Sequence, residues 1–174
     1  MWNDEKFIKA MFFAIKAHEN QKMIYPVNMP YSAHLLGVLQ FAIIGGLTEK
    51  DLNWDLLVQT ALLHDTVEDT NTTYEQLKNE FGILVADGVL ALTKNENLHK
   101  KLQMKDCINK IKLLTKEIAM VKLADRLFNM QSRVPVWSKE RQEEYKNEAQ
   151  LICNELGFSN EFLKIKLQSA INSY

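Results

Sequence analysis

Ala61-Leu62-Leu63-His64-Asp65-Thr66-Val67-Glu68-Asp69-Thr70 is the stretch on which the reading of this chain turns. Ahead of it, Leu56, Leu57, Thr60, Ala61 and Leu63 recur at helical spacing, so an apolar helix beginning near Asn53 arrives at His64. There the chemistry changes abruptly, with His64, Asp65, Glu68 and Asp69 crowded into six positions. If the helix continues, Glu68 lies one turn beyond His64 and Asp69 one turn beyond Asp65, on a shared face. Burying that much charge is costly unless something offsets it, and a divalent cation is the natural partner.

Working outward, helical periodicity persists on both sides. Phe7, Ile8, Met11, Phe12 and Ile15 form one apolar face of a first helix that ends near His18. Residues 20–31, with Pro26 and Pro30, read as a loop; a second helix runs from Ser32, taken as its N-cap, to a stop at Gly45-Gly46. Thr72 followed by Glu75 suggests a capping box opening a short helix that closes near Phe81-Gly82. Further helices are expected over 83–93, 98–114 and 117–130, with a polar connection at 94–99. Pro135 is expected to break the chain, Ser138 to cap a long polar helix closed by Gly157, and a last helix to fill 160–172. Nothing alternates with hairpin turns, so the expected fold is all-α, a compact helical bundle forming one domain over residues 1–174.

Composition narrows the function. With 47% hydrophobic and 25% charged residues the chain can build a core. A net charge of -1 argues against a long polyanionic partner, so no nucleic acid is expected, while a small anionic substrate stays open. No apolar run approaches the roughly 18 residues a bilayer span needs, and the N-terminus lacks a signal-peptide pattern. The two cysteines, Cys107 and Cys153, do not suit a disulfide scaffold or a cysteine zinc site. These features point to the cytoplasm, with no membrane partner; oligomeric state is open.

Two more segments join the central one. Pro30-Tyr31-Ser32-Ala33-His34 places a histidine near the start of a helix, just after the loop. Val121-Lys122-Leu123-Ala124-Asp125-Arg126-Leu127-Phe128-Asn129 sets a carboxylate inside an apolar helix, with Asn129 one turn on and facing the same way. A set of two imidazoles and two carboxylates suits a first-row divalent ion. Together with Trp137-Ser138-x-x-Arg141-x-x-Glu144-Tyr145, these stretches resemble the HD phosphohydrolase superfamily, and within it the hydrolase domain of RelA/SpoT-type proteins and the small alarmone hydrolases. The likeness covers nearly the whole chain.

The resemblance implies an HD-type bundle holding one cation, Mn²⁺ by preference, on His34, His64, Asp65 and Asp125. It implies removal of the 3′-pyrophosphate from guanosine tetra- and pentaphosphate. Glu68 and Asp69, with Thr73, match the family's E-D-x-x-x-T motif, which is thought to handle the attacking water. Asn129, Arg141 and Tyr145 are the candidate substrate contacts, the last two being one turn apart on the polar helix, and Lys122 is a further candidate for a phosphate. The sequence also departs from the family. An Arg-Lys pair that flanks the guanine base is replaced by Met23-Ile24, leaving Lys22 to take part of that role, and Gln131 stands where a later arginine is usual. Two alternatives therefore accompany the alarmone reading: hydrolysis of another nucleotide phosphate, such as a 2′-phosphorylated dinucleotide cofactor or a deoxynucleotide, and a non-catalytic module that senses a nucleotide.

Overall fold

The computed structural model describes residues 1–26, 28–131, 134 and 136–174. The elements in chain order are α1 (Asp4–Ala17), α2 (Ser32–Gly46), α3 (Trp54–Leu63), α4 (Thr66–Asp69), α5 (Tyr74–Phe81), α6 (Ile83–Leu92), α7 (Lys100–Ile111), α8 (Lys116–Asn129), α9 (Lys139–Leu156) and α10 (Glu161–Ser173), with a 3₁₀ turn at Gly157–Ser159 between the last two. Among the described residues there is no strand; the only sheet-like pairing is an isolated bridge between Lys22 and Pro30. No described helix is long and apolar enough to cross a membrane.

The centre of the bundle is α8. Every residue from Glu117 to Leu127 is buried, so this helix is covered on all sides. It packs against α2, α3, α9 and α10, and α2 in turn packs against α3, which carries α1 on its other side. Leu57, Leu62, Leu63, Leu123 and Leu127 are among the largest side chains wholly removed from water, each stabilising the fold by about 1.5–3 kcal/mol. The buried charges of α8 all find partners. Glu117 accepts from the Asn53 amide at 2.7 Å, Arg126 pairs with Glu148, and Lys122 pairs with Asp125.

Several boundaries differ from the expectation, each for a local reason. Ser32 is the first helical residue of α2, and Tyr31 precedes it without a side-chain cap. Gly45 and Gly46 lie inside α2 and are buried; Leu47 follows as the C-cap. Their role is close approach, since a Cβ on Gly45 would lie 2.8 Å from Leu163 and one on Gly46 2.7 Å from Trp54. The capping box exists one position later than expected, with the Thr73 hydroxyl accepting from Gln76 and the Gln76 side chain from the Thr73 amide. Gly82, at φ 87°, joins α5 directly to α6. Ser138 caps α9 as expected, and Asn53, near which a helix was expected to begin, caps α3. The break expected at Pro135 lies outside the described residues.

The helix from Asn53 ends at His64 as expected, and its conditional continuation is interrupted. The helix does not run through: α3 stops at Leu63, and the four-residue α4 starts at Thr66. Only one helical bond spans the junction, from the Asp69 amide to the Asp65 carbonyl at 2.8 Å. His64 and Asp65 keep right-handed helical backbone angles across the break, while Glu68 and Asp69 beyond it go to different partners, Lys94 and Gln21.

Candidate metal centre

Three helices deliver the site. His34 comes from the first turn of α2, His64 from the end of α3, and Asp125 from the last turns of α8, all three buried. Asp65, half-buried, follows His64 in the break before α4. The two imidazole Nε2 atoms stand 3.1 Å apart. Asp65 Oδ2 lies 3.2 Å from that of His34 and 3.0 Å from that of His64, and Asp125 Oδ1 lies 3.6 and 3.9 Å from the same two atoms. The ligand atoms of His34, His64 and Asp125 all lie within 4.8 Å of one another, close enough to draw in around one ion, and Asp65 Oδ2 sits beside both imidazoles.

The hydrogen-bond pattern makes the same demand. His64 Nδ1 lies 2.9 Å from the Ala61 carbonyl, which can only accept, so Nδ1 carries the proton. In the neutral ring Nε2 then offers a lone pair to a space already occupied by another imidazole nitrogen and two carboxylate oxygens. Burial alone would lower the pKa of His64, but the charge and hydrogen bond of Asp65, with Asp125 behind it, push it up to about 9. Against the opposing pull of burial, His64 and His34 hold Asp65 well below the usual carboxylate range; Asp125, likewise buried, is lowered chiefly by Lys122 and then by His64. The site thus favours positive charge at one point, and a divalent cation fits the donors present.

Outer residues orient these ligands. The Tyr31 hydroxyl donates to Asp65 Oδ2. Asn129 donates to Asp125 Oδ1 at 2.6 Å, as their one-turn spacing predicts, and Lys122 Nζ holds the other oxygen at 3.1 Å. Asn129 and Lys122, expected as substrate contacts, therefore both touch a ligand carboxylate. The Phe128 ring meets His34 edge-on, 5.3 Å between centroids, in the space left by Gly37.

The pair Glu68 and Asp69 is divided between two partners. Glu68, half-buried, accepts from both the backbone amide and the ammonium of Lys94, at 3.0 and 2.7 Å. Asp69, exposed, accepts from the Gln21 amide at 2.9 Å. Neither Lys94 nor Gln21 was singled out in the sequence. Lys94 lies in what reads as a polar connection and Gln21 in a loop, and no periodicity links either to a carboxylate some 26 or 48 positions away.

The sequence matches the HD domain family over residues 10–158. The chain belongs to the HD-domain family. Among HD-domain proteins it is 36% identical to a guanosine-3′,5′-bis(diphosphate) 3′-pyrophosphohydrolase MESH1 of Xenopus tropicalis, an alignment covering 92% of this chain and 89% of the relative. It is 32% identical to the enzyme of the same name from Danio rerio, with the same coverage of each. In three dimensions it superposes on a metazoan ortholog of SpoT that hydrolyses ppGpp and plays a role in starvation responses. That match has a TM-score of 0.85 at 26% identity and covers 99% of this chain and 97% of the other.

The remaining candidates of this HD-domain chain lie further out. Arg141 and Tyr145, both half-buried on α9, share the Trp137 ring: the Arg141 guanidinium lies 5.3 Å from its centroid and Tyr145 meets it edge-on at 5.0 Å. Tyr145 is also covered by the Arg126 guanidinium at 4.1 Å, and burial, partly countered by that charge, pushes its phenol up to about 12. Lys22 is exposed and sits opposite Pro30 in the bridge that leads into Tyr31. Thr73 is exposed and its hydroxyl caps α5, so it is drawn into helix formation. Met23 is half-buried and Ile24 is 73% exposed, an apolar surface where the resemblance expects cations.

Proposed function

We propose that the chain is a metal-dependent guanosine 3′,5′-bis(diphosphate) 3′-pyrophosphohydrolase, with one divalent ion, Mn²⁺ by preference, on His34, His64, Asp65 and Asp125. The observation that carries the reading is the convergence of those four donors beside two carboxylates, Glu68 and Asp69, each held by its own partner. Relatives bearing that activity in their names, alike over about nine-tenths of both chains, support the same reading.

A bound cation would lower the pKa of water and offset charge on the phosphoryl oxygens. In the reaction, the water oxygen bonds to the phosphorus next to the ribose 3′ oxygen, that P–O bond breaks, and the 3′ oxygen takes a proton. Glu68 and Asp69 are suited to accept the water's proton and return one to the leaving oxygen. Lys94 holds Glu68 in place through its backbone amide and its ammonium. Asn129 and Lys122 keep Asp125 aimed at the two imidazoles, and Tyr31 does the same for Asp65. Trp137, Tyr145 and Arg141 offer aromatic faces and a guanidinium to a nucleotide. Lys22, and Thr73 less directly, border the approach from the loop side. The cytoplasm is the compartment in which we place this activity, on a small-molecule substrate.

Met23 and Ile24 favour one second reading, the same chemistry on a different nucleotide, because an apolar pair cannot clamp guanine as two cations do. A panel of purified nucleotides with Mn²⁺ decides. Release of pyrophosphate and GDP from ppGpp supports the proposal. Orthophosphate from a 2′-phosphorylated dinucleotide, with ppGpp untouched, moves the substrate, and tight binding without turnover makes the chain a sensor.

A further inference from the structure

Behind Asp69 the end of α1 and the following loop build a connection that the metal site does not require. Gln21 bridges two side chains: its Oε1 lies 2.6 Å from His18 Nδ1 and its Nε2 donates to Asp69 Oδ2 at 2.9 Å. The hydrogens follow by elimination. The amide nitrogen of Gln21 faces the Asp69 oxygen, which accepts from it, so the carbonyl oxygen of Gln21 faces His18. Nδ1 of His18 is therefore the donor, and the ring carries its proton there. The ring is 3% exposed, and burial lowers its pKa, which keeps it neutral. His18 is itself fixed by stacking on Tyr31, 4.7 Å between centroids and 23° between planes.

The backbone clamps Gln21 from both sides. Its amide donates to the His18 carbonyl at 2.9 Å, and its carbonyl accepts from the Tyr31 amide at 3.0 Å. A glutamine on a free loop would have to give up side-chain freedom to hold a carboxylate. Here part of that ordering is already done by the backbone and by the buried imidazole. Since Tyr31 also donates to Asp65, the same loop fixes one ligand carboxylate and, through Gln21, the neighbouring Asp69.

We infer that Gln21 is a positioning residue for the reaction, holding the exposed Asp69 carboxylate in its working orientation, and that His18 acts through it by fixing the direction of the Gln21 amide. The inference rests on the hydrolase reading for its effect on turnover, but the tautomer it requires is independent of that reading.

The test uses the full chain loaded with Mn²⁺ and ppGpp as substrate. Gln21→Leu should lower kcat by about 10- to 100-fold with KM and metal content near wild type. His18→Phe keeps an aromatic ring against Tyr31 but lacks the donor, and should fall with it. His18→Asn, whose amide nitrogen can stand near the place of Nδ1, should recover most of the rate. In an Asp69→Asn background, Gln21→Leu should cost nothing further. Full activity in Gln21→Leu, additive losses in the double variant, or an active His18→Phe beside a dead His18→Asn would each overturn the inference. Nitrogen NMR of His18 in the unaltered protein reads the connection without turnover. A proton on Nδ1 that shifts toward Nε2 in Gln21→Leu is the expected result, and a ring protonated on Nε2 in the wild type would overturn it even if a variant failed to fold. Absence of ppGpp turnover in the wild type would count against the hydrolase reading alone.

Discussion

His34 and His64, thirty positions apart in sequence, bring their Nε2 atoms to 3.1 Å across the contact between α2 and α3. Two imidazoles at that distance cannot both present lone pairs without a positive charge near them. With Asp65 and Asp125 closing the same space, the arrangement is stable only around a cation or a retained proton. His34 and Asp125 stand within α2 and α8 and His64 caps α3, all three buried, so packing rather than loop geometry fixes this cluster.

Separate partners for ligands and carboxylates predict separable variants. Asp125→Ala should lose both metal and turnover. Glu68→Ala should lose turnover by about 10²- to 10⁴-fold while the metal content stays near wild type. Metal analysis alongside steady-state rates checks this, and loss of metal in Glu68→Ala would contradict the role given to Glu68.

Lys94 should matter through Glu68. Removing its ammonium in Lys94→Met leaves only the backbone amide at 3.0 Å on that carboxylate. A fall in kcat of about tenfold or more, with unchanged metal content, is expected. Equal kcat in the variant and the wild type would show that the ion pair has no part in the reaction.

Asn129→Ala should act on the metal rather than on the nucleotide. The amide holds Asp125 Oδ1 at 2.6 Å, so its loss should weaken metal binding by about 10- to 100-fold. A raised KM for substrate with unchanged metal affinity would instead return Asn129 to the substrate contacts.

Gly37 links packing to the site. A Cβ there would lie 2.0 Å from Phe128 Cε2, and the ring that would have to move rests on His34. Gly37→Ala should cost about 1–3 kcal/mol of stability and also weaken metal binding. Thermal melts with and without Mn²⁺ measure both; a variant with wild-type melting behaviour would refute the contact.

Acid stability should depend on Glu49. The hydrogen bond from Lys116 holds its carboxyl below the usual 4.5, opposed by burial and assisted by Asn160. Because the folded value is depressed, the contribution is complete above 4.5 and fades as the pH falls through the folded value. The melting temperature of Glu49→Gln should therefore lie below that of wild type at pH 7, and the gap should narrow in acid. A gap that is constant with pH would exclude the linkage.

Most of the helical frame was legible in the sequence, as were three side chains that the fold brings together, His34, His64 and Asp125. Apolar periodicity marks most buried helix faces, though in α1 Ile8, Phe12 and Ile15 are exposed and Ala10 and Ala14 face the core; a histidine or carboxylate inside a buried face needs a partner, which made His34, His64 and Asp125 stand out. The helix end at His64 was legible, but how far helical geometry persists beyond it was not, because both residues keep helical backbone angles and only the hydrogen bonding lapses. Thr72 and Thr73 are equally good caps by type, and the choice between them is made by Gln76 reaching back. His18 read as a helix-end residue, and its link to Gln21 and Asp69 was invisible since it depends on where a loop returns. Asn129 and Lys122 were assigned to substrate because spacing shows which way a side chain faces but not what it meets first.

The most direct test is the metal content of the purified protein after incubation with Mn²⁺ and removal of the excess. One ion per chain is predicted, falling to none in a folded Asp125→Ala variant. A wild-type protein that neither carries nor takes up a divalent ion would contradict the convergence of His34, His64, Asp65 and Asp125 on a single cation.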